Sequence, residues 1–146
     1  MPAKDDCYQL LNSALPFAEQ MLRDHGEFLP FGAQMLHGGE IVSVAADDGE
    51  DHSRSENLIG ILLSAFKAAA ADGDLVATAL IYDVRVVPPG ARQKTDAIAL
   101  NLDHRDSYSL TLFFPYIITD GAPEIGDAFA SGGDYSIFPS PNPLHA

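Results

Sequence analysis

The chain has 146 residues, of which 47% are apolar and 20% are charged, as is typical of one globular domain with a buried core. Eight lysine and arginine residues stand against 21 aspartates and glutamates, which gives a formal charge of -13 at pH 7. This charge repels phosphate backbones and anionic lipid headgroups, so we expect neither nucleic acid nor a membrane as a partner. The acidity either serves solubility alone or provides a docking face for a basic partner.

Three features concern the compartment in which the protein works. The single cysteine, Cys7, excludes an intramolecular disulfide and favours a reducing cytoplasm. The N-terminal stretch MPAKDDCYQ carries acids where a secretory or transit peptide carries bases and an apolar block, so we expect the protein to stay where it is made. Every apolar run is broken before the roughly 18 residues that a transmembrane helix requires.

The first predicted element is an amphipathic helix over residues 4–25. Pro16 lies inside it and removes a backbone donor, which predicts a kink or a split into two pieces. Gly26 ends the helix. Apolar residues recur along it at three- and four-residue steps: Leu10, Leu11, Ala14, Phe17, Ala18, Met21 and Leu22.

A predicted hairpin follows at residues 31–46, FGAQMLHGGEIVSVAA. Gly38 and Gly39 lie between two strand-like runs and tolerate the positive φ angles of a tight turn. A turn closed on these two glycines sets Met35 beside Val42, and this face is expected to belong to the core.

The second predicted helix covers residues 54–71. Ser53 and Glu56 form a capping-box pattern at its start, and the pair Asp72 and Gly73 ends it. We expect this helix to be largely buried against a sheet, because its apolar residues cover a broad face: Leu58, Ile59, Leu62, Leu63, Ala65 and Phe66.

Three predicted strands come next, joined by short turns into an antiparallel meander: residues 75–87, 94–103 and 107–118. After Asp120, glycine and proline recur at short intervals and allow at most a short helix near residues 124–130. We therefore expect residues 1–138 to form a single domain and residues 139–146 to form a mobile tail.

The order of these elements is helix, two strands, helix, three strands. It predicts an α+β fold with an antiparallel sheet of about five strands, helices on one or both faces and a flexible C-terminal tail. A last hairpin closed at residues 104–107 sets Leu110, Leu112, Phe114 and Tyr116 on a face with Ala97 and Ala99, where there is room for a helix. The other face is too apolar for solvent, so either the first helix or a second copy of the chain covers it: Ile81, Ile98, Leu100, Leu102, Thr111 and Phe113.

The segment YDVRVVPPGARQKTDAI, residues 82–98, carries the main candidate site. Asp83 and Arg85 share one face of their strand, as do Lys94 and Asp96 of the next. A turn that brings Arg85 opposite Asp96 makes these four charges a cluster. One interpretation is a set of cross-strand ion pairs that hold the strand register. The other is an electrostatic binding site or a catalytic cleft, to which His104 belongs.

Local motifs of the common enzyme classes are absent from the sequence. It contains no G-x-S-x-G elbow, Walker A loop, dinucleotide fingerprint, H-E-x-x-H or C-x-x-C pattern. We therefore predict no cofactor, no metal and no catalytic residue. Cys7 has no basic neighbour except Lys4 and is predicted to be a structural thiol.

Several phrases resemble a family of short bacterial proteins of unknown function, and they span nearly the whole chain. They are HGEFLPFGA (25–33), YDVRVVPPG (82–90), KTDAIAL (94–100), LDHR (102–105) and FFPY (113–116). The resemblance implies one intact bacterial domain and carries over no catalytic residue. The order of elements is similar to that of profilin-like and roadblock or longin-like domains, which implies a binding, scaffold or regulatory module, often dimeric.

Three functional hypotheses remain. The first is a non-enzymatic protein-binding or regulatory module, as a monomer or a homodimer. The second is an immunity- or antitoxin-type inhibitor whose acidity attracts a basic toxin. The third is a small enzyme or ligand sensor with a site made of Asp83, Arg85, Lys94, Asp96 and His104.

Overall fold

The computed structural model describes residues 2–49 and 54–138. The predicted α+β class, with helices on an antiparallel sheet, is confirmed. The predicted mobile tail, residues 139–146, lies outside the described residues. Two helices and seven strands follow one another along the chain: α1 (Pro2–His25), β1 (Phe31–Leu36), β2 (Ile41–Ala45), α2 (Ser55–Ala71), β3 (Leu75–Val86), β4 (Thr95–His104), β5 (Tyr108–Thr119), β6 (Ala122–Ile125) and β7 (Phe129–Gly132).

The sheet is antiparallel throughout, in the order β2-β1-β3-β4-β5-β6, and β7 also pairs with β5. The two strands beyond the predicted five come from residues 122–132, so the short helix predicted near residues 124–130 is wrong. Asp120 and Gly121 have φ angles of 52° and 79° and form a tight turn that sends the chain back along β5. β6 pairs with the end of β5 and β7 with its beginning.

The two helices pack on opposite faces of the sheet. α1 covers the face on which Ile81, Ile98 and Leu100 are completely buried. This answers the question that the sequence left open, because α1 rather than a second chain covers these residues. α2 lies on the other face, where Leu62 and Phe66 pack against Leu80.

α1 is one continuous helix of 24 residues, and Pro16 does not split it. Ala14 and Ala18, on either side of the proline, are both buried, so the apolar stripe continues past it. α2 begins after Arg54, which occupies the N-cap position without a side-chain capping hydrogen bond. Ser53, the predicted capping residue, lies outside the described residues. Among those residues, neither helix has the length and the apolar character needed to cross a lipid bilayer.

The β1–β2 and β4–β5 turns each contain three residues, whereas a two-residue turn was expected at each. In the first hairpin, Met35 pairs with Ile41 and not with Val42. In the second, His104 pairs with Tyr108. The third residue of each turn has a positive φ, 96° at Gly39 and 64° at Ser107, as is usual for three-residue hairpin loops.

The extra turn residue exchanges the faces of β5, because side chains alternate along a strand. The predicted grouping of Leu110, Leu112, Phe114 and Tyr116 with Ala97 and Ala99 is therefore wrong. Leu112, Phe114 and Tyr116 belong to the core under α1. The α2 face instead receives Ser109, Thr111 and Phe113, which pair with Asp103, Asn101 and Ala99 of β4.

Gly32 allows α2 to lie close to β1. A Cβ atom at this position would overlap Cζ of Phe66, a ring that is completely buried. We expect Gly32→Ala to lower the free energy of unfolding by about 1–3 kcal/mol, because the ring has to move in a packed core. Urea denaturation of the variant and the wild type would measure this loss in the free energy of unfolding.

The matched control is Gly60→Ala, on the exposed side of α2, where no atom lies within 4 Å of an added Cβ. This change is expected to raise stability by about 0.5–1 kcal/mol, because alanine favours the helix. Equal effects of the two substitutions would show that Gly32 is not needed for the contact with Phe66.

Candidate functional site

The structure separates the five predicted site residues into two groups. Asp83 and Arg85 lie near the end of β3, Asp96 near the start of β4 and Lys94 just before it. His104 is the last residue of β4, eight positions after Asp96, which places it about 26 Å away along the strand. The five residues therefore do not form one site.

The predicted pairing of Arg85 with Asp96 is present, and the two residues are directly opposite in the register. Arg85 Nε lies 3.8 Å from Asp96 Oδ1, and the side chains are 69% and 56% exposed. An ion pair this exposed contributes little to stability and is easily displaced. Lys94 is also exposed and joins no ion pair within the described part of the chain.

Asp83 has a different partner, which the sequence analysis missed. The hydroxyl of Tyr116 donates a hydrogen bond of 2.8 Å to Asp83 Oδ1 across the intervening strand. Partial burial raises the pKa of Asp83; the bond from Tyr116 opposes this shift, and the nearby charges of Asp96 and Glu27 add to it. Burial and the same bond raise the pKa of Tyr116. The mistaken register of β5 had placed Tyr116 on the opposite face.

Asp83, Arg85 and Asp96 line one wall of a groove of about 770 Å³, here called the acidic groove. Its other residues come from the end of α1, the connection to β1, the start of α2 and β3: Met21, His25, Glu27, Phe28, Leu29, Ser55 and Val84. Among the described residues, three carboxylates and one guanidinium therefore face the groove. Leu29 is 56% exposed at this site, which gives the groove an apolar side chain accessible to a partner.

Part of the backbone of β3 is unpaired beside this groove. β1 begins at Phe31, opposite Ile81, whereas β3 continues for five more residues to Val86. Among the described residues, no strand pairs with Tyr82–Val86 on the β1 side. This segment, here called the open edge of β3, leaves backbone groups available for an additional strand.

His104 is buried and makes hydrogen bonds that hold parts of the fold together. It is 1% exposed, and its Nε2 lies 2.8 Å from Oδ2 of Asp6 in α1. The backbone N–H of Asp106 donates to its Nδ1 at 3.0 Å, which assigns the ring proton to Nε2 as the donor to Asp6. His104 therefore connects the beginning of α1 to the β4–β5 turn.

A second, smaller cavity lies between α2 and the sheet, and we call it the α2 cavity. Its volume is about 230 Å³. Ile59, Leu63 and Phe66 form its α2 side. Its sheet side is polar, and the mistaken register of β5 had hidden this: Thr78, Asn101, Asp103, Ser109 and Thr111.

The described residues provide neither a nucleophilic cysteine nor a metal-binding site. Cys7 lies on the buried side of α1, and burial, with the nearby charges of Asp103 and Asp6, raises the pKa of its thiol to about 12. It is therefore protonated at neutral pH and is not a nucleophile. In residues 2–49 and 54–138, no three His, Cys, Asp or Glu side chains come together as metal ligands.

We expect Asp83→Asn to change how stability depends on pH. The folded pKa of Asp83 lies above its ordinary value of 3.8, so ionisation costs stability, and this cost appears as the pH rises above about 4. Asparagine removes the cost and keeps an acceptor for Tyr116. We therefore expect the free energy of unfolding of the variant, minus that of the wild type, to be larger at pH 7 than at about pH 4. Urea denaturation of both proteins at the two pH values measures this difference.

Tyr116→Phe is the complementary variant. It leaves the ionised Asp83 without its hydroxyl donor and should cost about 1.5–3 kcal/mol at neutral pH. In the Asp83→Asn background the same change should cost less. A pH dependence of Asp83→Asn identical to that of the wild type would contradict the proposed environment of the carboxylate.

His104→Ala should lower the free energy of unfolding by about 2–4 kcal/mol, because it removes a buried side chain and leaves Asp6 unpaired. His37→Ala, in the exposed β1–β2 turn, is the control and should change stability by less than about 0.5 kcal/mol. Chemical denaturation of both variants tests this. A loss of ligand binding at unchanged stability would instead indicate a functional histidine.

Comparisons with known proteins complete the description of the site. No family model, curated protein or solved structure matches this chain. The resemblance to short bacterial proteins, and the similarity in topology to profilin-like and roadblock or longin-like domains, therefore stay predictions. The function has to be inferred from the acidic groove, the open edge of β3 and the α2 cavity.

Proposed function

We propose that the protein is a non-enzymatic protein-binding module that captures an extended basic segment of a partner in the acidic groove. The observation that carries this proposal is the open edge of β3, which lies inside a groove lined by carboxylates. An extended peptide can add to such an edge as a further strand, with its backbone providing affinity and its side chains specificity.

The charges of the groove favour a basic segment. Within the described part of the chain, Glu27, Asp83 and Asp96 face it, against the guanidinium of Arg85. Because the Arg85–Asp96 pair is exposed and long, a basic residue of the partner can take the place of Arg85 at low cost. The formal charge of -13 attracts the same partner over a longer range and speeds the encounter.

The apolar side chains of the groove favour an alternating peptide. Leu29 is exposed, and Met21, Phe28 and Val84 line the same space. An added strand directs successive side chains to opposite sides, so basic residues can meet the carboxylates while apolar ones contact Leu29. An inhibitor of a basic toxin would be one form of this function, with the toxin as the partner.

The enzyme hypothesis has less support from the geometry. His104, the histidine of the proposed cleft, lies at the opposite end of β4 and is occupied by Asp6. The remaining residues, Asp83, Arg85, Lys94 and Asp96, offer charge and hydrogen bonding at the groove. These groups support binding.

Calorimetric titration with a synthetic octapeptide of alternating lysine and valine tests the proposal. We expect saturable binding that weakens at high salt, because surface charge interactions are screened. Asp83→Asn combined with Asp96→Asn should weaken binding about tenfold, since both changes remove a carboxylate from the groove. Glu40→Gln, in the exposed β1–β2 turn, removes a charge elsewhere and should leave affinity unchanged.

Two further peptides separate strand addition from simple charge attraction. The same peptide with an N-methyl group on every backbone nitrogen keeps its side-chain charges but cannot donate backbone hydrogen bonds to the open edge, so it should bind much more weakly. An octapeptide of alternating glutamate and valine should not bind. Equal binding of the N-methylated peptide, or binding of the acidic one, would overturn the proposal.

A further inference from the structure

The α2 cavity has the size of a small-molecule site. Its volume of about 230 Å³ corresponds to roughly seven or eight water molecules at about 30 Å³ each. This is below the range of about 300–1,000 Å³ that is usual for drug-sized ligands. A ligand that fills it would contain about six to ten non-hydrogen atoms.

Some polar groups of the cavity are satisfied by one another. Ser109 Oγ donates to Asp103 Oδ1 at 2.8 Å. Asn101 Oδ1 accepts from the hydroxyls of Thr111, at 3.1 Å, and Tyr82, at 3.3 Å. These bonds fix the wall contributed by β3, β4 and β5. They also occupy the amide oxygen of Asn101, whose N–H groups have no hydrogen-bond partner among the described residues.

Two further polar groups face the cavity without a hydrogen-bond partner among the described residues. Thr78 is 1% exposed, and its hydroxyl makes no hydrogen bond to another described residue. Asp103 is 6% exposed, and within the described residues only its Oδ1 accepts a hydrogen bond, so Oδ2 remains available. Both groups are therefore open to the cavity and can form a hydrogen bond to a ligand that enters it.

The charge of the cavity selects a cation. Asp103 and Asp134 both line it, whereas none of the described residues that line it is a lysine, arginine or histidine. Burial raises the pKa of Asp103, and the charge of Asp134 adds to this effect, while the bond from Ser109 opposes it. A positively charged group between the two carboxylates would offset the cost of ionising them. The rings of Phe66 and Tyr82 also line the cavity and are suitable neighbours for an organic cation.

The segment Gly133–Ile137 closes the cavity, and we call it the strap. The N–H of Gly133 donates to the carbonyl of Ser109 at 3.1 Å, and the N–H of Tyr135 donates to Ser109 Oγ at 3.2 Å. A Cβ atom at Gly133 would overlap Ser109, so the strap is in close contact with β5. Asp134 and Ser136 are exposed, which places the entrance at the strap.

The strap also carries backbone strain. Tyr135 has a φ of 53°, a conformation that costs energy for a bulky residue and that is found mainly where surrounding contacts enforce it. Here the contacts are the two hydrogen bonds to Ser109 and the packing of Ile137 against the cluster of Leu62, Phe66 and Leu80. Release of the Ser109 contacts would relieve the strain and open the cavity.

We infer that the α2 cavity binds a small organic cation, an ammonium or guanidinium group on a short apolar body, between Asp103 and Asp134 beneath the strap. The apolar part of such a ligand would contact Ile59, Leu63 and Phe66. A bare metal ion does not suit the cavity, because the described residues bring no three metal-ligating side chains together. This site is separate from the acidic groove and does not depend on its function.

The test uses the full chain and four probes of similar size: n-butylammonium, n-butylguanidinium, butyrate and butanol. We expect the two cations to bind saturably in calorimetric titrations and to raise the melting temperature. Butyrate and butanol should do neither. Asp103→Asn, which keeps an acceptor for Ser109, and Asp134→Asn should each weaken cation binding about tenfold or more. Glu40→Gln, outside the cavity, should leave it unchanged.

Amide chemical shifts of the wild-type protein locate the bound cation independently of any variant. Shifts at Thr78, Asn101, Asp103 and the strap support the inference. Shifts confined to Asp83, Arg85 and Asp96 would overturn it and would place the cation in the acidic groove. An absence of binding by both cations, or equal binding of butanol, would also overturn it, and neither result would bear on the capture of a peptide by the open edge of β3.

Discussion

The three-residue turn at Arg105–Ser107 determines which face of the sheet each side chain of β5 occupies. Side chains alternate along a strand, so one residue more or fewer in this turn would exchange the two faces. With the turn as it is, Tyr116 points towards α1 and donates to Asp83. Ser109 points the other way and donates to Asp103 under α2. Both candidate sites therefore depend on a single turn, which Ser107 closes with a φ of 64°.

The two sites share a physical property, because each contains a carboxylate whose pKa is raised by burial. Asp83 lies in the acidic groove and Asp103 in the α2 cavity, and each accepts one hydrogen bond from a hydroxyl. A partly buried negative charge lowers stability, and a bound cationic group offsets that loss. In a chain with a formal charge of -13, no excess of internal cations is available for this purpose. Basic partners and small organic cations are the complementary ligands.

Much of the architecture could be predicted, because periodicity reports burial directly. Both helices and the three long strands were located within about two residues of their observed ends. The turn assumed between β3 and β4, which sets Arg85 opposite Asp96, is the observed one. β6 and β7 were missed because each has only four residues, too few to show a period. The partner of Asp83 and the polar wall of the α2 cavity were missed for another reason. Both involve contacts with β5, whose register depends on turn geometry rather than on periodicity.

The sequence by itself determined the α+β class, the acidity, the order of the long elements and the shared face of Asp83 and Arg85 on β3. These properties follow from local composition and from spacing within single elements. Only the tertiary structure decided that α1 and α2 cover opposite faces, that His104 joins Asp6 and that β3 extends past Phe31 to leave an open edge. Each depends on residues far apart in the chain, and the pairing of such residues is selected by the packing of the whole core.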